Sequence, residues 1–327
     1  MGRLHDPVGR RGLSMPAGGF AAVFPGQGAQ YVGMGCQIAE RFPQARAVFD
    51  RAGAAIGLDL LRLCAAGPEE ALNATANTQP AILTTSVACL ATLPASPQMA
   101  AGLSLGEYSA LVCAGALELE DAVRLVRLRG TFMEEATRGR DTLMVAVIGL
   151  GPDQIRALCE AHRHLGVVEP ANFNTPGQTV LGGDAPAVRA AAARAREMGA
   201  RRAITLAVSA PFHTSLMRPA AERLQTELER TPIRPARLPV VANATAQPVR
   251  HPEEIRRALL AQVASPVLWE QSVRAMYDSG MRQFVEVGPG ATLSGMIRKT
   301  VDAVAWHIED VESREETVQA LLGEQVR

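Results

Sequence analysis

The chain is poor in aromatic residues, which make up 4% of its 327 positions, and it has no charge of one sign to spare: Lys plus Arg and Asp plus Glu each number 33. A balanced surface has no net field to draw in nucleic acid or an anionic membrane, so neither is expected as a partner. No apolar run reaches the ~18 residues that a membrane span needs, and the N-terminal stretch lacks the apolar centre of a secretory signal. Cysteine is scarce too. Cys36, Cys64, Cys89, Cys113 and Cys159 are odd in number, scattered and without metal-type spacing. They read as reduced core thiols, so neither a disulfide framework nor a metal site is expected, and a cytoplasmic location is. What is abundant is aliphatic: with 47% hydrophobic residues the chain can bury a large core, as one big domain or two unequal ones.

Residues 1–19 hold arginines, prolines and glycines without periodicity and read as a tail; a transit-like basic segment is the alternative. Phe20 to Phe24 then forms an apolar strand ended by Pro25-Gly26-Gln27-Gly28, which is how an α/β fold opens. Helices are expected around Ala39 to Ala52, Pro68 to Asn73 and Gln79 to Ala91. A short strand, Gln98 to Ala101, precedes a helix from Glu107, and a long helix covers Leu119 to Ala136. From Leu143 the rhythm changes to β-α-β-β-α-β: strand to Ile148, helix Pro152 to Ala161, strands Val167 to Phe173 and Gln178 to Leu181 around a turn at Asn174 to Gly177, helix Pro186 to Met198, strand Arg202 to Ala207. That order is ferredoxin-like. Long elements return afterwards, with helices near Met217 to Glu229, Glu253 to Val263 and Pro266 to Asp278, and strands Pro239 to Ala242 and Phe284 to Val287. The expected organisation is therefore a tail (1–19), a large α/β domain (20–140 and 208–327) and a small inserted subdomain (141–207).

Three positions could carry chemistry. Ser104 lies in Gly102-Leu103-Ser104-Leu105-Gly106, between a buried strand and a helix. Glycines there permit a sharp strand-to-helix turn that exposes a serine at a helix N-terminus, with the Leu105 amide aimed where an oxyanion forms. The alternative is a glycine-rich structural turn. A nucleophilic serine needs a base, and of six histidines His213 is the candidate, because it follows Ala207 to Phe212, an apolar strand broken by Pro211, at a strand end. The alternative is a packed loop histidine. Arg129 falls on the apolar stripe of its helix, with Ala122, Leu125, Val126, Met133 and Ala136, so its guanidinium points inward and needs an acceptor. Either an internal ion pair or a bidentate clamp on a ligand carboxylate would serve.

Taken together, FPGQGAQ (24–30), NTQPA (77–81), GLSLGEYSALVCAGAL (from 102), RLRG (127–130), NFNTPGQ (172–178), VSAPFHTSLM (from 208) and VEVGPG (from 285) resemble malonyl-CoA:acyl carrier protein transacylases, in order and over nearly all of residues 20–299. The resemblance implies an α/β-hydrolase-like large domain with a ferredoxin-like insert. It implies that Ser104 is acylated with His213 as base, that the amides of Gln27 and Leu105 form the oxyanion hole, and that the Gln262 carbonyl orients the histidine in place of an acid. Arg129 would hold the malonyl carboxylate, and Phe212 would crowd the α-methyl of methylmalonyl. The substrates implied are malonyl-CoA, a coenzyme A thioester, and the phosphopantetheine thiol of an acyl carrier protein, with no bound metal or redox cofactor and a monomeric enzyme. An acyl hydrolase acting on carrier proteins and a non-catalytic docking module are the competing readings. Two departures stand out: Leu103 replaces the histidine usual before the nucleophile, and the connection Thr92 to Pro97 is short.

Overall fold

The computed structural model describes residues 19–323, so the expected tail lies outside the described residues apart from Gly19, which is buried. Its centre is a six-stranded sheet formed by β1 (Phe20–Phe24), β2 (Met99–Gly102), β7 (Val240–Val241), β8 (Pro248–Val249), β9 (Gln283–Val287) and β10 (Val304–Ile308). The order is β10-β9-β1-β2-β7-β8, parallel throughout except for β8, which runs antiparallel to β7. Every residue of β1 and of β2 is buried, as expected of central parallel strands covered on both faces. Their C-terminal ends therefore open together at one edge, which is where β1 runs into the Gly26–Gly28 loop and β2 into Leu103 and Ser104.

Between β2 and β7 the chain builds a second sheet from β3 (Thr142–Ile148), β4 (Val168–Thr175), β5 (Gln178–Asp184) and β6 (Arg202–Thr205), ordered β4-β5-β3-β6 with every pair antiparallel. Helices Pro152–His162 and Ala185–Glu197 cover one face. This is the ferredoxin-like arrangement, and the whole is an α/β fold with an α/β-hydrolase-like large sheet. Strand alternation divides the residues of β3: Val145 and Val147 join the core under those helices, whereas Met144 and Ala146 turn toward the large core. The two sheets are tied where β4 meets the stretch before helix Trp269–Asp278, with Phe173 N donating to Val267 O (2.9 Å) and Val267 N to Ala171 O (2.9 Å).

Several elements differ from the sequence expectation for local reasons. The helix expected over Ala39 to Ala52 is two, Cys36–Arg41 and Pro43–Ile56, because Pro43 forces Phe42 into an extended conformation and starts a new helix at N1. Helix Leu60–Ala66 was not anticipated; it is short and starts where Asp59 caps the Arg62 amide (2.9 Å). The strand expected through Ala207 ends at Thr205, so residues 207–212 are an irregular loop, and Pro211 lies within it. The turn after β4 tightens to Pro176-Gly177, with Gly177 at φ 87°. Helix Trp269–Asp278 starts three residues later than read, since Val267 is taken up by β4. Beyond β9, helices Thr292–Thr300 and Val311–Gly323 and strand β10 extend the large sheet past the expected last element.

Candidate active site

The Ser104 elbow is as sharp as its glycines require. A Cβ on Gly102 would sit 1.9 Å from the Gly106 carbonyl carbon, and one on Gly106 would sit 2.1 Å from the Phe24 oxygen, both backbone atoms that no rotamer can move. Ser104 itself has φ 53°, in the left-handed region that costs an L-residue about 1–2 kcal/mol. Only three non-glycine residues among those described have positive φ, and His213 (φ 63°) is another. Strain gathered on both the serine and the histidine is held in place by hydrogen bonds. Ser104 N donates to Asn243 Oδ1 (2.6 Å), Asn243 Nδ2 donates to Gly102 O (2.7 Å), and Gln262 Nε2 donates to Ser104 O (2.9 Å).

His213 is buried, with Nε2 2.6 Å from Ser104 Oγ and Nδ1 2.8 Å from the Gln262 carbonyl oxygen. A carbonyl can only accept, so Nδ1 carries the proton and Nε2 faces the hydroxyl with its lone pair. Burial first, and then the Arg129 guanidinium, hold His213 down at about 3, the Gln262 carbonyl acting in the opposite direction. The imidazole is thus neutral at ordinary pH and free to accept a proton. His162 and His164 instead bond carbonyls of their own helix turn, Leu158 O and Ala161 O, on the small subdomain.

Arg129 is 1% exposed and reaches the same serine. Its Nη2 donates to Ser104 Oγ (3.0 Å) and Gln262 Oε1 (2.9 Å), and Nη1 donates to Gln79 Oε1 (2.9 Å), while Nε has no partner. None of these acceptors is a carboxylate. The internal ion pair that could have explained a buried arginine is absent from its hydrogen bonds; burial disfavours its charge, and the nearby Tyr108 and Glu107 oppose that in part.

These groups face a cavity of about 280 Å³ between the two sheets, walled by Gln27, Met133, Met144, Asn172, Val180 and Phe212 among others. Among the described residues the amides of Gln27 and Leu105 take part in no hydrogen bond; Leu105 is the N-cap of helix Gly106–Cys113, and Gln27 is fixed through its side chain, Nε2 donating to Thr75 Oγ1 (3.2 Å). Unpartnered amides are what an oxyanion hole requires. Phe212 is buried beside His213 on the cavity wall, and Leu103 and Met296 line it too. Among the described residues no cluster of three or more His, Cys, Asp or Glu could hold a metal.

Of the seven residues singled out in the sequence, Gln27, Ser104, Arg129, Phe212 and His213 line one cavity, while Leu105 and Gln262 are buried behind it, Leu105 next to Ser104 in the chain and Gln262 bonded to His213, Ser104 and Arg129. Three were missed. Gln79 lies in the NTQPA segment and was given no role of its own. Glu107 closes the GLSLGE motif; it is buried and accepts from Asn243 N (2.9 Å) and Gln262 Nε2 (2.8 Å). Asn243 follows a two-residue strand, and an asparagine after a short apolar run is an ordinary turn signal.

A serine at a strained elbow, a neutral histidine and free amides are the parts of an acyl-transfer enzyme, and the family model described as "Acyl transferase domain" matches residues 22–324. The malonyl CoA-acyl carrier protein transacylase of Escherichia coli K12 is 45% identical over 289 residues, covering 87% of this chain and 94% of that protein. The solved malonyl CoA-acyl carrier protein transacylase of Clostridium perfringens superposes with TM-score 0.91 at 41% identity, over 94% of this chain and 98% of that one. A malonyl-transacylase solved in complex with a type II PKS acyl-carrier protein gives TM-score 0.90 at 40% identity, over 93% and 99% of the two chains. The chain belongs to the malonyl CoA-acyl carrier protein transacylase family.

Proposed function

We propose that this protein moves a malonyl group from malonyl-CoA to the phosphopantetheine thiol of an acyl carrier protein by way of a malonyl ester on Ser104. One observation carries the choice of acyl group: Arg129 Nη2 is 3.0 Å from Ser104 Oγ. Malonyl places a single carbon between its carboxylate and its thioester carbonyl, so a carboxylate anchor must adjoin the nucleophile, and Arg129 does.

His213 Nε2 takes the proton from Ser104 Oγ as the oxygen attacks the thioester carbonyl, and the developing oxyanion is held by the amides of Gln27 and Leu105. The C–S bond breaks, the imidazolium protonates the departing coenzyme A sulfur, and the ester remains. In the second half the carrier thiol gives its proton to His213 and attacks the ester, and Ser104 Oγ leaves with that proton returned. Protons and electrons balance in each half without a metal or redox cofactor. The Gln262 carbonyl keeps the imidazole in the tautomer that both halves need. Phe212, on the cavity wall next to His213, would crowd an α-methyl and so disfavour methylmalonyl by roughly the 1–3 kcal/mol that one methyl is worth. The enzyme acts as a cytoplasmic monomer in fatty acid or polyketide synthesis. The hydrolase reading is not favoured, because the relatives are named as transacylases and the buried Arg129 supplies a site for malonyl.

The experiment is direct. Incubation with malonyl-CoA alone should leave one malonyl group on the intact protein by mass spectrometry, and holo carrier protein should remove it. No adduct on the wild type, or an equal adduct on Ser104→Ala, overturns the mechanism.

A further inference from the structure

The hydrogen bonds behind the nucleophile converge on one atom that the reaction does not touch. Ser104 is held at both of its backbone polar groups: its N–H by Asn243 Oδ1 (2.6 Å) and its carbonyl by Gln262 Nε2 (2.9 Å), the latter shared with the Glu107 amide (3.1 Å). Asn243 and Gln262 come from distant parts of the chain, a loop after β7 and helix Pro252–Val263. Both are tied to Glu107 Oε2, by the Asn243 amide at 2.9 Å and by Gln262 Nε2 at 2.8 Å. Glu107, Asn243 and Gln262 are all almost completely buried.

We propose that Glu107 and Asn243 are positioning residues of the transacylase reaction: with the Gln262 side chain they form a closed bracket that fixes the left-handed Ser104 peptide and so aims Oγ at His213. A serine at φ 53° is under strain, and its relaxation toward ordinary backbone would swing Oγ away from Nε2 and turn the Leu105 amide out of the oxyanion position. Asn243 resists that motion from the amide side and Gln262 from the carbonyl side. Glu107 keeps the two in register. The bonding also fixes which way the Gln262 amide faces. Its nitrogen has two oxygens to serve, Ser104 O and Glu107 Oε2, so its Oε1 is left to Arg129 Nη2 (2.9 Å). Burial pushes the Glu107 carboxyl up to about 7, with the bonds from Asn243 and Gln262 opposing that rise, as expected of an acceptor retained at a cost in a dry site.

A bracket that only satisfied buried polar groups would affect stability and nothing else. One that aims Oγ affects the acylation step for every acyl group alike. The inference rests on Ser104 being the acylated residue, and the test separates the two: absence of an adduct on the wild type counts against that reading, and the outcomes below count for or against the bracket alone. Acylation is followed by coenzyme A release in the absence of carrier protein, with malonyl-CoA and acetyl-CoA. Asn243→Ala and Glu107→Ala should each slow the saturated acylation rate by roughly 10- to 100-fold, as removal of supporting-shell residues does, with KM for malonyl-CoA moving less than about threefold. The loss should be the same for acetyl within about threefold, unlike the loss of a carboxylate anchor. Glu107→Gln, whose Oε1 can still accept both bonds, should recover at least about a third of the wild-type rate. Each alanine variant cuts a different part of the bracket, so if one is not recovered folded the other decides. Acylation at more than half the wild-type rate in a folded alanine variant, a loss confined to KM, or a Glu107→Gln variant as slow as Glu107→Ala would overturn the proposal.

Discussion

Replacing Arg129 with alanine should change which acyl group the enzyme takes far more than how fast it works. The guanidinium donates three hydrogen bonds, all to neutral oxygens, and its Nε donates none. A malonyl carboxylate would bring two charge-assisted bonds, each worth about 1.5–3 kcal/mol, while displacing one or two neutral ones worth about 1 kcal/mol apiece. The net is about 3 kcal/mol, and at 1.36 kcal/mol per decade that corresponds to a loss of roughly 150-fold in kcat/KM for malonyl-CoA. Acetyl-CoA has no carboxylate to lose. It should acylate Arg129→Ala within about tenfold of wild type, or faster, because a buried cation no longer faces the bound methyl group. Coenzyme A release with each thioester, alongside the mass of the acyl-enzyme, measures both numbers. The reasoning fails if the two substrates lose by the same factor within about threefold, which would make Arg129 a structural cation and nothing more.

Two further outcomes test the geometry. His213 has a folded value of about 3, below the ordinary 6.5, so the unfolded chain binds a proton there over a range in which the folded chain does not. Its contribution to stability is therefore present above about 6.5 and is lost as pH falls from there toward 3, and the base stays unprotonated throughout. The kcat/KM for acylation should accordingly show no acid limb from this histidine between pH 5 and 8; a limb near 6.5 that persists in Glu107→Gln, where the carboxyl at about 7 is gone, would refute the depressed value. Gly102→Ala should abolish the acyl-enzyme and lower the melting temperature, since the new Cβ would lie 1.9 Å from one backbone atom and 2.0 Å from the next; calorimetry finding wild-type stability together with wild-type acylation would show that the elbow does not need its glycine.

The small subdomain was legible to within about three residues at each element's ends, because its strands and helices are periodic and the prolines and glycines between them are strong punctuation. Of the large sheet, β1, β2, β7 and β9 were legible as short apolar runs beside turn signals. Strand β8 was not: it has two residues and exists because β7 presents its edge, a fact of tertiary contact that local sequence does not carry, and β10 was likewise not expected. The site divides in the same way. Ser104, His213 and Arg129 each broke a local pattern, as a serine flanked by glycines, a histidine after an apolar segment, and a charge on an apolar stripe. Gln262 breaks one too: it lies seven residues after Ile255 and three after Leu259, on the buried face of its helix, so the rule that singled out Arg129 would have found it as a buried polar group. Asn243 broke no pattern, and only the folded chain brings it to the Ser104 amide.

Leu103 is the departure that the family resemblance leaves open, and the geometry limits what it can mean. Both ring nitrogens of His213 are already engaged, one with the Gln262 carbonyl and the other with Ser104 Oγ, so an imidazole at position 103 is not required to complete the base. Nor does the elbow depend on that side chain. Its shape is fixed by Gly102 and Gly106, by Leu103 N donating to Phe24 O (3.0 Å), and by Gly26, where any Cβ would lie 2.5 Å from the Leu103 carbonyl oxygen. What the side chain does touch is the cavity, near Leu293 and Met296, where a leucine presents hydrocarbon and an imidazole would bring two hydrogen-bonding nitrogens. On the proposed mechanism the difference would therefore fall on the hydration of the ester on Ser104. An apolar wall there would offer no anchor for a water molecule, which would favour transfer to an incoming thiol over hydrolysis.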